Sequence, residues 1–225
     1  MNKITVMLAE DHAVVREGLR KILELEADLE VVGEAPDGRK AVALVQKLRP
    51  AVVLMDIAMP LLNGLEATRQ VLKVLPATKI LMLSAHGDDA YVKTAADSGA
   101  VGFLLKQTNA HEVCHAIREA HKGNKFFTPS ISRRQNRLRR SSINREGILT
   151  KEVPRLTSRE MEVLQLLAEG KANKETAAEL GICLKTVEKH REHIEQKLDI
   201  HDTAGLTRYA IATGVIESSV HVTIV

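Results

Sequence analysis

The feature that most constrains the fold is a series of short, almost wholly apolar runs that alternate with stretches of helical periodicity. The strand candidates fall at residues 4–8, 30–34, 51–55, 79–83 and 101–105, and all of them except 30–34, which has a glutamate at each end, are predominantly apolar. The stretches with helical spacing fall at residues 12–26, 38–48, 64–74, 88–98 and 109–122. Strands without polar alternation are typical of parallel sheets that helices cover on both faces. Five consecutive βα units predict a flavodoxin-like, doubly wound α/β domain with a five-stranded parallel sheet, whereas a barrel would need about eight units.

Polar side chains stand where four of these runs end. Glu10 and Asp11 follow the first run and Asp56 ends the third. Ser84 closes the fourth run, and Lys106 follows the fifth. Because ligands of open α/β sheets bind outside the carboxyl ends of the strands, these five groups are expected to converge at one edge of the sheet. Each group alone is more often a solvated loop or turn residue, so it is the joint placement that predicts a site.

The chemistry of this set suits a hard cation together with a phosphoryl group. Three carboxylates would repel one another without a cation, and Mg²⁺ prefers oxygen ligands. An aspartate can attack phosphorus and hold the group as an aspartyl-phosphate. Lys106 can pair with phosphoryl oxygens, and Ser84 can donate a hydrogen bond to one of them.

The motifs around these residues resemble the receiver domain of bacterial response regulators. The matching segments are Leu8-Ala9-Glu10-Asp11, Met55-Asp56-Ile57-Ala58-Met59-Pro60, Asn63-Gly64, Leu83-Ser84-Ala85 and Gly102-Phe103-Leu104-Leu105-Lys106. The resemblance covers residues 1–122 and implies that Asp56 accepts a phosphoryl group from a sensor histidine kinase.

The same resemblance implies a role for each residue of the predicted site. Glu10, Asp11, Asp56 and the backbone carbonyl of Ala58 would hold Mg²⁺. Ser84 and Lys106 would contact the phosphoryl group. Phe103 would be the switch aromatic, although a phenylalanine at this position, taken alone, is more often a core residue. Gln107 is a departure, because many receivers have proline after the lysine, and the local backbone geometry therefore stays open.

The positive charge of the chain is concentrated in its middle. Residues 1–124 carry a net charge of −1, residues 125–155 carry +7 and residues 156–225 carry −3. The middle segment contains Arg133-Arg134, Arg137 and Arg139-Arg140 and has little apolar periodicity. We interpret it as a solvated tether, with phosphate binding as the alternative. The predicted organisation is a receiver at 1–122, an Arg-rich linker at 123–154, a helical domain at 155–216 and a tail at 217–225.

Composition excludes several function classes. Aromatic residues make up 2% of the 225 residues and tryptophan is absent, which argues against base-stacking platforms for single strands. Cys114 and Cys183 lie far apart, so reduced thiols are expected. The sequence shows neither a leader pattern nor a run of eighteen apolar residues, so we expect a cytoplasmic protein without a membrane partner.

The last segment has an entirely helical pattern. Thr157 and Glu160 form a capping-box pattern at the start of one helix, and Gly170 ends that helix. Further helices are predicted at about 173–180, 184–198 and 203–213. Two helices joined by a short turn with a glycine are typical of a helix-turn-helix, so an all-α, four-helix domain is expected.

Residues 156–213 resemble the LuxR-type helix-turn-helix of the NarL/FixJ class of response regulators. The resemblance rests on Leu156-Thr157-Ser158-Arg159-Glu160, Val163–Gly170, Asn173-Lys174-Glu175, Lys185-Thr186-Val187, His190-Arg191 and Lys197-Leu198. It implies that the helix near Leu184 enters the major groove of DNA. The DNA-contact candidates are Asn173, Lys174, Lys185, Thr186, Lys189 and Arg191.

Two features depart from this pattern. Cys183 stands where the family often has a serine cap, which predicts a weaker cap. Glu188 and Glu192 lie on the outer face of the helix, where their carboxylates would repel phosphates, with a hydrogen bond from cytosine to Glu188 as the alternative.

These observations together predict a phosphorylation-controlled transcription regulator of a two-component system, not an enzyme. The expected partners are a sensor histidine kinase, double-stranded promoter DNA and, after phosphorylation, a second copy of the chain. The dimer face would lie on the helix at 203–213 (Thr203, Ala204, Leu206 and Ala210), unless these residues pack within their own domain. The alternatives are an aspartyl-phosphate phosphatase and a phosphate-independent adaptor.

Overall fold

The protein is described by a computed structural model that covers residues 3–85, 87, 89–127 and 156–216. The chain divides into two compact units, Met1–Glu152 and Val153–Val225. Most of the predicted Arg-rich linker, and all of the predicted tail at 217–225, lie outside the described residues.

The first unit is a parallel sheet with helices between its strands. The sheet has the strand order β2-β1-β3-β4-β5-β6, and every neighbouring pair is parallel. Its strands are β1 (Ile4–Ala9), β2 (Leu29–Ala35), β3 (Val52–Asp56), β4 (Lys79–Ser84), β5 (Gly102–Leu105) and β6 (Phe126–Phe127). Its helices are α1 (Ala13–Glu24), α2 (Gly38–Leu48), α3 (Gly64–Val74), α4 (Asp89–Asp97) and α5 (Ala110–His121). The predicted doubly wound α/β fold is confirmed.

Successive residues of each strand point to opposite faces of the sheet, and each face has its own apolar core. On β1, Met7 and Ala9 join one core while Val6 and Leu8 join the other. The first core receives buried side chains from α2, α3 and α4, and the second receives them from α1 and α5. Burial on both faces explains the nearly continuous apolar runs in β1, β3, β4 and β5.

The sheet has a sixth strand that the sequence analysis did not predict. β6 pairs with β5 through Gly102 with Phe126 and Phe103 with Phe127, so the first residues of the predicted linker belong to the sheet. Gly102 allows this pairing, because a Cβ atom at that position would lie 2.4 Å from the backbone oxygen of Phe126. A two-residue strand is too short to produce a recognisable alternation in sequence.

The second unit consists of four helices, as predicted. They are α6 (Ser158–Ala168), α7 (Asn173–Leu180), α8 (Leu184–Leu198) and α9 (Thr203–Ala212). Thr157 and Glu160 form the predicted capping box at the start of α6. The Glu160 carboxylate also accepts hydrogen bonds from Lys197 Nζ at 2.6 and 2.8 Å, which fastens α6 to α8.

The turn between α7 and α8 has helix-turn-helix geometry. Gly181 has a φ of 62°, a left-handed conformation that glycine adopts without a steric penalty. α8 begins three residues later, at Leu184, and the side chain of the preceding Cys183 makes no capping hydrogen bond to the helix. The weaker cap predicted from Cys183 is therefore present.

Helices of the described segments are all too short or too polar to cross a lipid bilayer.

We predict that Gly102→Ala destabilises the first unit. The added Cβ would collide with the backbone of β6, and overpacking of this kind costs about 1–3 kcal/mol of unfolding free energy. Gly18→Ala is the matched control, because a Cβ at that position of α1 meets no described atom within 4 Å. Alanine is favoured over glycine inside a helix, so this variant should raise the unfolding free energy by about 0.5–1 kcal/mol. Urea unfolding of the full chain measures both effects. A Gly102→Ala protein as stable as the wild type would contradict this role of Gly102.

Candidate functional site

One lysine joins the carboxyl ends of three strands at the edge of the sheet. Lys106 Nζ lies 2.9 Å from Asp56 Oδ2 and 3.0 Å from Glu10 Oε1. Both carboxylates are fully buried, and the lysine side chain is 17% exposed. The structure therefore brings together residues that are 50 and 96 positions apart in sequence, as the strand-end pattern predicts.

The backbone around Asp56 is held on both sides. The N–H of Ile57 donates to the carbonyl of Leu83 at 3.1 Å, which ties the end of β3 to β4. The start of α3 packs directly against Asp56, since a Cβ on Gly64 would lie 1.9 Å from the backbone oxygen of Asp56. Gly64 is therefore required by close packing beneath the site.

The loop that carries Glu10 and Asp11 is fixed by Arg16 from α1. Arg16 Nη1 donates to the backbone oxygen of Glu10 at 2.6 Å, and Arg16 Nε donates to Glu34 Oε2 at 3.2 Å. These bonds orient the loop while leaving the two carboxylates of the acidic pair directed at the site.

Burial and charge shift the proton equilibria of the central pair. Burial raises the pKa of Asp56 to about 7, and the negative charge of Glu10 acts in the same direction against the opposing effect of Lys106. Burial lowers the pKa of Lys106, but the charges and hydrogen bonds of Asp56 and Glu10 outweigh it, so the net pKa is raised. The lysine therefore remains an ammonium. The negative charges of Glu10 and Asp11 near Asp56 exceed the single positive charge that Lys106 supplies.

The carboxylate oxygens fit a divalent cation. Glu10 Oε2 and Asp56 Oδ1 are buried without a hydrogen-bond partner among the described residues. Ligand atoms of Glu10, Asp11, His12 and Asp56 all lie within 4.8 Å of one another. Buried carboxylate oxygens left unpaired cost free energy, and a hard cation would satisfy them.

The remaining residues of the predicted site lie on or beside the same edge. Ser84 is buried at the end of β4, and its backbone oxygen accepts from Lys106 N at 2.8 Å. Ala58 is half-buried in the loop after β3. Phe103 is fully buried in the core that also contains Val92 and Ala95 of α4.

The backbone after Lys106 follows an ordinary turn despite the departure at Gln107. The peptide bond into Gln107 is trans, and the N–H of Thr108 donates to the carbonyl of Leu105 at 2.8 Å. Lys106 reaches both carboxylates from this backbone.

The structure also places His12 at the site, which the sequence analysis missed. His12 Nδ1 lies 2.7 Å from Asp11 Oδ1 and 3.1 Å from Glu10 Oε1. The contact with Asp11 is a close charge pair rather than a well-angled hydrogen bond. The negative charge of Asp11 raises the pKa of His12, against the opposing effect of its partial burial. Its position directly after the acidic pair is the sequence signal that could have revealed it.

The outer face of α8 in the second unit carries the exposed basic residues. Val187 and Ile194 are fully buried and anchor the helix, whereas Lys185 and Lys189 are exposed. Glu188 is also exposed on this helix. The predicted separation of anchoring and outward-facing side chains is therefore present.

Two of the predicted DNA contacts make bonds within the unit. Arg191 donates from Nε to Glu195 Oε1 at 2.9 Å and from Nη2 to Thr203 Oγ1 at 3.0 Å. Thr186 Oγ1 lies 3.0 Å from the sulfur of Cys183.

The other two predicted contacts, Asn173 and Lys174, begin α7. Lys174 is exposed and Asn173 is half-buried.

The residues considered as a dimer face divide into two groups. Leu206 and Ala210 are fully buried within their own unit, so they pack in its core and are not exposed to a second copy of the chain. Thr203 and Ala204 are exposed at the start of α9.

Comparison with known proteins identifies the family. Residues 6–118 match the response regulator receiver domain, and residues 154–210 match the luxR family of bacterial regulatory proteins. The transcriptional regulatory protein LiaR of Bacillus subtilis is 42% identical over 208 residues, which cover 92% of this chain and 96% of LiaR. The chain belongs to the response regulator family.

Solved response regulators share its architecture. A LuxR-family two-component response regulator from Aurantimonas sp. is 32% identical, with a TM-score of 0.59 over 61% of this chain and 99% of that chain. The response regulator RcsB in complex with DNA is 27% identical, with a TM-score of 0.58 over 94% of this chain and 99% of that chain. This response regulator thus combines a receiver with a LuxR-type regulatory domain, as the motifs predicted.

The raised pKa of Asp56 predicts a pH-dependent stability. The folded receiver holds this proton up to about pH 7, whereas the unfolded chain releases it near the ordinary value of 3.8. The unfolding free energy should therefore fall as the pH rises from about 4 to about 7, because the unfolded state binds fewer protons over that range. In the presence of a chelator, we expect the unfolding free energy of Asp56→Asn to exceed that of the wild type by about 2 kcal/mol at about pH 8. This difference should shrink towards pH 4.

Urea unfolding at a series of pH values measures this effect. Asp97→Asn, at an exposed position at the end of α4, is the matched control and should leave the profile unchanged. An Asp56→Asn protein less stable than the wild type at alkaline pH would contradict the electrostatic account.

Proposed function

We propose that Asp56 accepts a phosphoryl group from a sensor histidine kinase and that this modification controls DNA binding. The observation that carries the proposal is the state of the Asp56 carboxylate. One of its oxygens is paired with Lys106, and the other is buried and unpaired among the described residues. A carboxylate of this kind has a lone pair available for attack on phosphorus.

The side chains around Asp56 have complementary roles in this transfer. Asp56 attacks the phosphorus of a phosphohistidine, the new bond forms at the carboxylate oxygen, and the histidine nitrogen leaves. Lys106 favours the ionised form of Asp56 against the effect of burial, and it would neutralise charge on the phosphoryl oxygens. The hydroxyl of Ser84 would donate a hydrogen bond to one of those oxygens.

Glu10, Asp11 and Asp56, with the backbone carbonyl of Ala58, would hold Mg²⁺ beside the acceptor. When bound, the cation would offset the negative charge that the carboxylates and the phosphoryl group bring together. The unpaired buried oxygens of Glu10 and Asp56 support this assignment.

Phosphorylation would change the receiver by redistributing the contacts of Lys106. A phosphoryl group adds about 1.5–2 negative charges at neutral pH, so the ammonium would turn towards it from Glu10. Ser84 ends β4 and Phe103 lies on β5. Phe103 belongs to the same apolar core as Val92 and Ala95 of α4. We propose that Phe103 changes its packing when Ser84 engages the phosphoryl group, which shifts the receiver between two conformations.

The second unit would read promoter DNA with α8 in the major groove. Its basic, exposed residues Lys185 and Lys189 are the best-placed candidates for base or phosphate contacts. RcsB, a similar response regulator, has been solved as a complex with DNA. Asn173, Lys174 and Thr186 would touch the backbone. Arg191 should contribute less than Lys189, because its guanidinium already binds Glu195 and Thr203.

We propose that the phosphorylated chain binds DNA as a homodimer. RcsB has been solved as two dimers bound to two parallel DNAs. On α9, the exposed residues Thr203 and Ala204 remain available to a second copy, whereas Leu206 and Ala210 are used by the domain's own core.

We predict that Asp56→Ala abolishes phosphate incorporation from acetyl phosphate and Mg²⁺, since it removes the attacking carboxylate. Intact-mass measurement on the full chain detects the modification. Asp97→Asn, far along α4, should be modified like the wild type. Normal incorporation by Asp56→Ala would show that another residue is the acceptor, and sustained phosphate release by the wild type would favour a phosphatase.

We also predict that Lys189→Ala weakens DNA binding on every sequence tested. If Lys189 contacts a phosphate, the slope of log affinity against log salt should fall by about one. Gel shifts of phosphorylated protein on promoter fragments at several salt concentrations measure the slope. Lys122→Ala, an exposed lysine at the end of the receiver helix α5, is the charge-matched control. An unchanged slope for Lys189→Ala would exclude the phosphate contact.

A further inference from the structure

We propose that His12 is a fourth protein ligand of the cation site and that it gives the site a preference for Mn²⁺ over Mg²⁺. This inference rests on the proposed function in one respect, because it assumes that a cation binds at Glu10, Asp11 and Asp56. It concerns a residue that the receiver motifs used above do not assign to the metal.

The geometry that points to this role is the position of Nδ1. This nitrogen lies 2.7 Å from Asp11 Oδ1 and 3.1 Å from Glu10 Oε1, so it faces these two carboxylates while the His12 side chain is 61% exposed. Ligand atoms of all four residues fit within 4.8 Å of one another. One ion could therefore contact atoms from His12 and the three carboxylates.

The unpaired oxygens provide an independent indication that an ion belongs there. Glu10 and Asp56 are fully buried, and each has one carboxylate oxygen without a hydrogen-bond partner in the described segments. Lys106 supplies a single positive charge to this pair. The cluster therefore has both excess negative charge and free carboxylate oxygens, and His12 Nδ1 contacts the other oxygen of Glu10.

An imidazole ligand discriminates between divalent ions. Mg²⁺ takes oxygen ligands almost exclusively and keeps several waters. First-row transition ions accept nitrogen as well as oxygen, and their affinity for such mixed sites exceeds that of Mg²⁺. Carboxylates suit both Mg²⁺ and Mn²⁺, so the added imidazole is what would shift the preference of the site towards Mn²⁺.

A second arrangement of the same atoms makes the opposite prediction. If His12 acts only as a protonated ion-pair partner of Asp11, it competes with any cation for that carboxylate. Removing it would then strengthen the binding of both Mn²⁺ and Mg²⁺. The sign of the change in affinity therefore separates a ligand from a competitor.

The test is electron paramagnetic resonance of Mn²⁺ added to the full-length, unphosphorylated chain at about pH 8, where an ordinary imidazole is neutral. Titration gives the Mn²⁺ affinity, and competition gives the Mg²⁺ affinity. Spin-echo modulation reports directly whether a nitrogen is bound to the ion. The variants are His12→Ala and, as the matched control, His121→Ala at the exposed end of α5. Circular dichroism checks that each variant is folded.

We expect His12→Ala to weaken Mn²⁺ binding by about 10-fold or more, to change Mg²⁺ binding much less, and to lose the nitrogen modulation. His121→Ala should behave as the wild type. Nitrogen modulation that persists in His12→Ala, or tighter binding of both ions, would overturn the inference. Asp11→Asn should weaken both ions, and undiminished Mn²⁺ binding would place the ion elsewhere.

The same experiments separate this inference from the proposed function. Wild-type protein that takes up phosphate at Asp56 but shows no nitrogen modulation would overturn the role of His12 alone. Wild-type protein that shows the modulation but takes up no phosphate would overturn the proposed acceptor alone.

Discussion

The arrangement of the receiver depends on the buried ammonium of Lys106 between two buried carboxylates. Glu10 and Asp56 are both buried, so their carboxylates repel each other without screening by water. The contacts with Lys106 only partly offset the free-energy cost of removing both carboxylates from water. The remaining imbalance appears as unpaired oxygens and as a pKa of about 7 for Asp56. We propose that this incomplete neutralisation allows the site to bind a cation and to accept a phosphoryl group.

The fold positions these buried charges at one edge of the sheet. Parallel strands bring their carboxyl ends to a common edge, and two apolar cores pack against the strands that carry the buried carboxylates. Gly64 lets α3 pack against the backbone of Asp56, and Arg16 fixes the acidic loop. The cost of burying charge is thus offset by apolar packing elsewhere in the unit.

Most of the fold was predictable because its signals are long and repetitive. Five apolar runs and the strand-end residues predicted the sheet, its edge and the contact of Lys106 with Asp56. The two-residue strand β6 has no such periodicity, and it depends on the close approach that Gly102 permits. His12 was missed because its role follows from the direction of one ring nitrogen. The bonds of Arg191 to Glu195 and Thr203 likewise depend on side-chain geometry that spacing alone does not fix.

The central claim is that this imbalance makes Asp56 the phosphoryl acceptor. Its most direct test is peptide mapping of the wild-type chain after treatment with acetyl phosphate and Mg²⁺, followed by borohydride reduction, which converts an aspartyl-phosphate to homoserine. The account predicts homoserine at position 56 and unmodified Asp11. Homoserine at Asp11, or phosphate recovered on a side chain outside this sheet edge, would contradict it.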